Sequence, residues 1–368
     1  MNFLKKLFQS PKSTVATTVV NTYEDFWNWF RQQEKDFFNI IKNRDQRIEE
    51  DFFNKLSPKL KELRDGYFFL AGMYDNNTAE LIITADGRVK NIIFVEELIA
   101  AAPAIAGWKF TALKQPTDMK GFNINMSGYN FTTDNMWFYA NELPGYPDEV
   151  DVVVVHSDLD ENNKEAIGNG IFIYLDNYLG ELDFATNIDN ISVVSRKDAA
   201  GELIPIEKLK EYLIWRQKEF VEKYEGVRRD TENDSYASFE AELENGRPLI
   251  AIANTDLLNW DSTPSHPWIL HIEIGYKGGQ NGMPDDSTYQ LLNEIEDQVT
   301  EKLKDAEGYL NIGRQTADDT RDVFFACREF RLPSKIMDAI RQRYGNRVAI
   351  GYDIYRDKYW RTFDRFRS

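Results

Sequence analysis

The last third of the sequence alternates two apolar patterns, and this alternation constrains the fold more than any other feature. Four segments place apolar residues at every second position, which is typical of half-buried β-strands. Two segments between them repeat apolar residues every three or four positions, as an amphipathic helix does. In chain order they are strand 268–276, helix 287–303, strands 308–314 and 321–329, helix 333–344 and strand 348–355.

The two faces of the first strand indicate how these segments pack. Leu270, Ile272 and Ile274 form an apolar face, and they alternate with Ile269, His271 and Glu273 on a mixed face. The helix 287–303 carries an apolar stripe that matches the apolar face. The order βαββαβ therefore predicts a ferredoxin-like domain, with two split βαβ units and both helices on one face of an antiparallel sheet.

The upstream sequence predicts further layers of helix and strand. At 368 residues the chain has room for two or three domains. Aromatic side chains follow helical spacing over residues 22–42, and ββαβ patterns follow before a long helix that ends near Tyr224. We predict a multi-domain α+β protein with a flexible tail at 1–20, N-terminal helices and a ββαβ unit at 21–115, a middle α+β unit at 116–226, and the ferredoxin-like domain at 227–368.

Composition excludes several classes of protein. The formal net charge is −17, and 14% of the residues are aromatic, which argues against disorder. A single cysteine, Cys327, excludes an internal disulfide framework and a cysteine-ligated zinc site. No apolar run reaches the length of a membrane helix. We therefore expect a soluble, cytoplasmic protein without a membrane span.

The two ends of the chain carry basic residues. The segment 331–368 contains ten Lys or Arg and four Asp, so it carries +6 while the rest carries −23. Its aromatics would suit stacking on single-stranded nucleic acid, but the acidic body repels phosphate, so we predict no nucleic-acid partner. We expect Tyr359, Trp360, Phe363 and Phe366 to dock on acidic protein surface instead. In the basic tail 1–20, Phe3, Leu4, Leu7 and Phe8 could form a short amphipathic turn.

Three residues near the first strand could bind a ligand or a metal. His271 and Glu273 share a strand face, and Asp322 or Asp353 could join them from a neighbouring strand, while His266 lies just before the strand. Such a group resembles a metal site. A hydrogen-bonded polar sheet surface explains the same pattern, and we predict no metal.

Turn sequences suggest structural clusters. Asn245-Gly246 between two apolar segments predicts a hairpin. Arg314 and Arg321 flank the turn 315–320 and would repel each other unless a carboxylate of Asp318, Asp319 or Asp322 lay between them. The glycines of loop 275–286 match no phosphate-binding pattern and indicate loop geometry.

No motif identifies a catalytic residue or a cofactor. The sequence has no GxSxG elbow, and Cys327 lies among apolar residues of a strand, where a thiol is inert. The acidic segment 156–163 begins like a calcium loop but lacks the required Gly and Glu, so it predicts a solvated turn.

The C-terminal segment resembles a known family. The sequences WDSTPSHPWILHIEIGY, GMPDDSTYQLLNEIEDQV and YLNIGRQTADDTRDVFFAC, within 260–330, resemble the prokaryotic domain of unknown function numbered 695. That family is similar in fold to the bacterial regulator of ribonuclease activity B, which inhibits an RNA-degrading endonuclease by binding it. The resemblance implies a ferredoxin-like fold and a bacterial origin, and it supplies no catalytic residues.

Two hypotheses follow. The first is a non-enzymatic binding or regulatory protein that contacts another protein through the open sheet face of His271, Glu273 and Asp322, with Arg314 and Arg321 nearby. The alternative is a small-ligand-binding protein or a hydrolase-type enzyme. Its pocket would lie between the middle and C-terminal domains and be lined by Trp260, His266 and Arg314.

Overall fold

A computed structural model of the protein describes residues 19–44, 46–118 and 123–367. The amphipathic turn expected at Phe3–Phe8, and the tail as far as residue 18, lie outside these residues. The chain divides into two compact units, of which the first comprises the chain up to Ile83 together with Glu97–Thr111. The second comprises Thr84–Glu96 and the chain from Ala112 onward. The domain boundaries predicted at 115/116 and 226/227 both fall inside the second unit, and we keep them as a proposal for its internal division.

The N-terminal elements begin with a capped amphipathic helix. Thr22 accepts a hydrogen bond from the backbone of Asp25, whose side chain accepts one in return, so helix α1 starts with a capping box. Its buried face includes Phe26, Phe30 and Phe37, as the aromatic spacing predicts. The elements are α1 (Tyr23–Asn43), a π-helical turn (Glu49–Phe53), α2 (Asn54–Leu63), β1 (Phe68–Met73), β2 (Ala79–Thr84), α3 (Val89–Ala100) and β3 (Trp108–Ala112), and the strands form a sheet in the order β1-β2-β3.

The middle part of the chain builds a second α+β layer. A sheet in the order β8-β7-β6-β9 packs Val152 and Val154 against two long helices, and β7 and β8 pair in parallel. A small hairpin, β4-β5, precedes it. The elements are β4 (Ile124–Met126), β5 (Tyr129–Phe131), β6 (Met136–Asn141), β7 (Asp151–His156), α4 (Lys164–Leu179), α5 (Glu181–Asn187), β8 (Asn190–Ser195), β9 (Ile204–Pro205) and α6 (Leu209–Tyr224).

The C-terminal part confirms the predicted order βαββαβ and adds a hairpin to it. All pairings in its six-stranded sheet, in the order β10-β11-β13-β14-β12-β15, are antiparallel. The turn at Asn245-Gly246 joins the two added strands, as predicted. The elements are β10 (Tyr236–Glu242), β11 (Pro248–Asn254), α7 (Thr255–Leu258), β12 (Trp268–Gly275), α8 (Asp286–Lys302), β13 (Tyr309–Ala317), β14 (Thr320–Cys327), α9 (Arg331–Tyr344) and β15 (Ala349–Arg356).

Helices α8 and α9 cover the same face of this sheet. Arg321 on β14 lies opposite Ile274 and donates a hydrogen bond of 2.8 Å to Asn293 of α8. Tyr352 on β15 lies opposite Ile272, on that same face, and bonds the carbonyl of Ser334 in α9. The prediction of both helices on one face is therefore confirmed.

The C-terminal segment, residues 357–367, covers part of the opposite face. Trp360 and Phe363 are fully buried there in one cluster with Ile269 and Phe324. The Trp360 indole also donates to the carbonyl of His266 at 3.0 Å. The structure therefore confirms that this basic segment docks on the rest of the protein, and the docking buries apolar side chains.

Acidic residues of the middle part form ion pairs with the same segment. Lys358 contacts Asp189 at 2.7 Å, and Arg361 contacts Glu149 at 2.7 Å. Arg367 instead pairs with Asp364 of its own segment and donates to the backbone carbonyls of Leu258 and Tyr359. The docking thus joins two parts of the second unit through ion pairs as well as apolar contacts.

No helix within residues 19–44, 46–118 and 123–367 has both the length and the apolar character needed to cross a membrane.

Candidate functional site

The predicted site residues fall into three separate groups. The first group lies on the sheet face opposite α8 and α9. Cross-strand pairing puts Asp322 opposite Glu273 and puts Asp353 opposite His271, so four polar side chains of β12, β14 and β15 share that face. We call His271, Glu273, Asp322 and Asp353 the acidic patch.

A short hydrogen bond fixes the imidazole in the acidic patch. His271 Nε2 lies 2.7 Å from Asp322 Oδ1, and the ring stacks on Phe324 with 4.7 Å between centroids. Gln315 donates a longer bond, 3.4 Å, to the other oxygen of Asp322. The side chain of His271 exposes 31% of its surface to solvent, and that of Asp322 exposes 18%. This pair is therefore ordered, yet open to a binding partner.

Arg314 and Arg321 lie on the other face, beneath α8. Arg314 donates to Glu296 at 2.8 Å, and the guanidinium of Arg321 lies 3.9 Å from the same carboxylate. The expectation that Asp318, Asp319 or Asp322 separates these arginines is wrong, because Glu296 of the helix occupies that place. Burial, and next the charge of Arg314, lower the pKa of Arg321. The two arginines form a structural contact between sheet and helix.

Asp318 and Asp319 instead organise the glycine-rich loop. Both occupy left-handed backbone in the turn between β13 and β14, and Arg247 contacts both carboxylates. The backbone amide of Gly278 donates to Asp319 at 2.7 Å. A Cβ at position 278 would lie 2.7 Å from that carboxylate oxygen, so the close approach requires glycine. The interpretation of these glycines as loop geometry agrees with the contacts.

Trp260 and His266 form the third group, in the core beneath the C-terminal segment. Trp260 packs against His266 and Trp360 at 5.5 and 6.1 Å between ring centroids. His266 is fully buried, and its Nδ1 lies 2.8 Å from the Ser265 hydroxyl. Burial, followed by the charges of Arg328 and Arg228, lowers the pKa of His266 to about 3. His266 is therefore neutral at physiological pH.

A cleft does lie between the middle part and the C-terminal part, but its walls differ from the expectation. It encloses about 350 Å³ at the end of the sheet where β12 begins and β15 ends. Neither Trp260, His266 nor Arg314 is among the described residues that line it. Its lining residues are Thr186, Asn187, Gln217, Phe220, Val221, Tyr224, Glu225, Ser265, Pro267, Trp268, Arg328, Phe330 and Arg356.

Two other sequence features are structural. Cys327 is fully buried, as predicted, and burial raises the pKa of its thiol. In the acidic segment 156–163, Asn163 accepts from the amide of Asp160 at 2.8 Å and donates to the carbonyl of Asp158. That segment forms a turn held by its own hydrogen bonds, as predicted. Within the described ranges, no group of three or more His, Cys, Asp or Glu side chains could hold a metal ion.

The comparison with family models bears on the C-terminal part alone. Residues 237–367 match DUF695, a family of unknown function. The resemblance noted at 260–330 is thereby confirmed, and the match extends from β10 to the end of the docked segment. No curated protein and no solved structure matches the chain.

The DUF695 segment contains the whole acidic patch but only part of the cleft. Trp268, Arg328 and Arg356 line the cleft from within the DUF695 segment, whereas α5 and α6 line it from outside. Sequence reasoning anticipated a pocket between the middle and C-terminal domains but missed its lining residues, because its two walls come from distant parts of the chain. Arg356 is one of the basic residues of the segment 331–368. No feature of the local sequence distinguishes it from the others as a residue that lines a cleft.

Proposed function

We propose that this protein is a non-enzymatic binding or regulatory protein, and that the acidic patch contacts another protein. One observation carries the proposal. Three strands hold three carboxylates and an imidazole side by side on the accessible part of a sheet face, while the docked segment covers another part of that face. Glu273 is exposed, and the Asp353 side chain keeps 64% of its exposure, although Lys90 approaches it to 3.4 Å.

The surroundings of His271 support a binding role over a catalytic one. His271 and Asp322 resemble the base and its orienting carboxylate in enzymes that use covalent catalysis, where the base activates a neighbouring hydroxyl or thiol. In the part of the chain that the structure describes, no hydroxyl or thiol lies within hydrogen-bond range of His271. The pair instead presents a fixed polar surface.

The charge of the patch indicates the chemistry of the partner. Carboxylates on a flat face of a protein with net charge −17 attract a surface rich in Lys and Arg, and they raise the rate of encounter with it. The family resemblance implies a fold similar to that of an endonuclease inhibitor, and this supports the same role by analogy alone. A bacterial cytoplasmic location is part of the proposal, and the single buried cysteine is compatible with it.

The test compares two double variants that each remove two negative charges. Glu273→Gln/Asp353→Asn removes two of the three carboxylates of the patch and leaves the His271–Asp322 pair in place. Asp297→Asn/Glu301→Gln neutralises exposed carboxylates of α8, across the sheet. Each protein is immobilised and used for affinity capture from a bacterial lysate, with quantitative mass spectrometry as the readout.

We expect a protein that the wild type and the α8 variant retain, that the patch variant loses, and that added salt releases. Equal capture by all three proteins, or equal loss from both variants, contradicts the proposal.

A further inference from the structure

The side chain of Arg356, in the wall of the cleft, is buried without hydrogen bonds. It keeps only 11% of its exposure. Its Nε and Nη1 atoms are inaccessible to solvent, and among residues 19–44, 46–118 and 123–367 neither has an acceptor in hydrogen-bond geometry. A guanidinium carries five N–H donors, and burying such donors unpaired is unfavourable. Nη2 is not among these inaccessible atoms, so it is the nitrogen through which Arg356 can reach a ligand in the cleft.

The one carboxylate beside Arg356 is shared. Asp189 Oδ1 lies 2.9 Å from Arg356 Nε, while Asp189 Oδ2 contacts the Lys358 ammonium and the amide of Val150, both at 2.7 Å. One carboxylate therefore faces two buried cations. Burial lowers the pKa of Arg356, although the charges of Asp189 and Glu149 oppose this shift.

A second arginine adds to this positive charge. Arg328 lines the same cleft and donates one bond, of 3.1 Å, to the carbonyl of Val227. Burial and the neighbouring Arg228 lower the pKa of Arg328. The one carboxylate in the described lining is that of Glu225, which is exposed. A cationic cleft in a protein of net charge −17 is a local arrangement and does not follow from the overall composition.

The remaining walls are apolar and aromatic. Trp268 and Phe330 meet edge to face at 5.0 Å, and the Arg356 guanidinium lies 5.6 Å from the Trp268 ring. Phe220 and Val221 of α6 form the facing wall. A volume near 350 Å³ is at the lower end for small-molecule sites.

We propose that this cleft binds a small organic anion, whose carboxylate or phosphate group pairs with Arg356 beside Arg328, and whose apolar body packs against Trp268, Phe330 and Phe220. Guanidinium N–H groups suit either oxyanion, because carboxylates and phosphates both accept charge-assisted hydrogen bonds. This site is separate from the acidic patch and goes beyond the proposed contact with a protein.

The test uses four probes on the full chain, with isothermal titration calorimetry as the readout. Benzoate and phenyl phosphate combine an anion with an aromatic body. Benzamide keeps the ring without the charge, and inorganic phosphate keeps the charge without the ring. Comparing benzoate with phenyl phosphate shows which oxyanion the cleft prefers.

Two variants and one control locate the binding. Arg356→Gln removes the guanidinium, and circular dichroism verifies that the variant folds. Val221→Trp fills the mouth of the cleft from an exposed position of α6, so it tests the site even if the first variant unfolds. Arg343→Gln removes a guanidinium of α9, far from the cleft lining, and serves as the matched control.

We expect benzoate or phenyl phosphate to bind the wild type and the Arg343→Gln control equally. We also expect a loss of about tenfold or more in affinity in Arg356→Gln and Val221→Trp. Four results would overturn the inference: no binding of either organic anion, equal binding of benzamide, equal binding of inorganic phosphate, or unchanged affinity in the two cleft variants. The patch variant Glu273→Gln/Asp353→Asn should bind the anion normally, so the two proposals fail independently.

Discussion

At the scale of single residues, Lys358 shows how the docked segment is held. Its side chain is 1% exposed and that of Asp189 8%, and the ammonium also bonds the carbonyl of Asp148. Phe220 lies beneath it at 4.6 Å. The free energy lost when two charges are removed from water offsets most of their electrostatic attraction. Such a pair therefore contributes little net stability. Its main effect is to specify where the segment docks.

This residue predicts a pH dependence. Burial, and next the charge of Arg356, lower the pKa of Lys358 from 10.5 to about 8 in the folded protein. Between these values the unfolded chain binds more protons than the folded one, so stability must rise with pH there. We expect the free energy of unfolding of the wild type to gain on the order of 3 kcal/mol over this window relative to Lys358→Met.

Urea unfolding at both ends of the window measures this difference. Lys218→Met, which removes an exposed lysine of α6, provides the control and should follow the wild type. If Lys358→Met shows the same rise as the wild type, the ammonium is not the titrating group.

At the scale of elements, the strand and helix patterns could be predicted, but their irregularities could not. The alternation of residues in β12 predicted both faces correctly, because one face packs on helices and the other on the docked segment. Leu270 and Ile272 lie on the helix side, and Ile269 packs in one cluster with Trp360. Strand β13 contains a bulge between Asn311 and Gly313, where the isolated glycine is a local sign of a bulge but does not fix its position. A bulge depends on the partner strand as well as on its own sequence.

The bulge predicts that Gly313 cannot be replaced. Gly313 has a φ of +149°, and a Cβ there would lie 2.2 Å from the carbonyl oxygen of Ile252 on the paired strand. Strands β11 and β13 cannot move apart to make room for this Cβ without breaking the backbone hydrogen bonds that pair them. We therefore expect Gly313→Ala to lower the free energy of unfolding by about 3 kcal/mol or more.

Gly351→Ala is the matched control, measured by the same denaturant titration. A Cβ at position 351 meets Glu273 at an ordinary 3.9 Å, so this variant should be close to neutral. Comparable losses in both variants would show that the close contact at position 313 is not the cause.

At the scale of the whole molecule, the second unit depends on contacts between residues far apart in sequence. The acidic patch could be anticipated because β12 and its neighbours belong to one short βαββαβ pattern. A cleft between the middle and C-terminal parts could also be anticipated, but its lining could not, since Arg356 meets the middle part only after the chain has folded. The basic and aromatic character of 331–368 predicted that the segment docks, and it did not predict which carboxylates receive it.

Deleting residues 357–368 tests that docking. Trp360 and Phe363 are fully buried, and removing them should cost at least about 5 kcal/mol of stability. Arg361 keeps 43% of its exposure, so its pair with Glu149 contributes only about 0–1 kcal/mol. We expect a lower melting temperature for the truncated protein, and only a small effect of high salt on the wild type. An unchanged melting temperature together with weaker binding of single-stranded RNA would favour a nucleic-acid role for the segment.

The contact between Lys358 and Asp189 also bears on how the protein is made. The two residues are 169 positions apart, so a ribosome completes Asp189 long before its partner. Until then, Asp148, Glu149 and Asp189 have no cations from the docked segment, and they favour hydration over burial. We therefore expect the middle part to reach its final packing only after the segment has left the exit tunnel. Residues of the middle part are therefore translated early, but their folding is completed only when the end of the DUF695 segment has been synthesised.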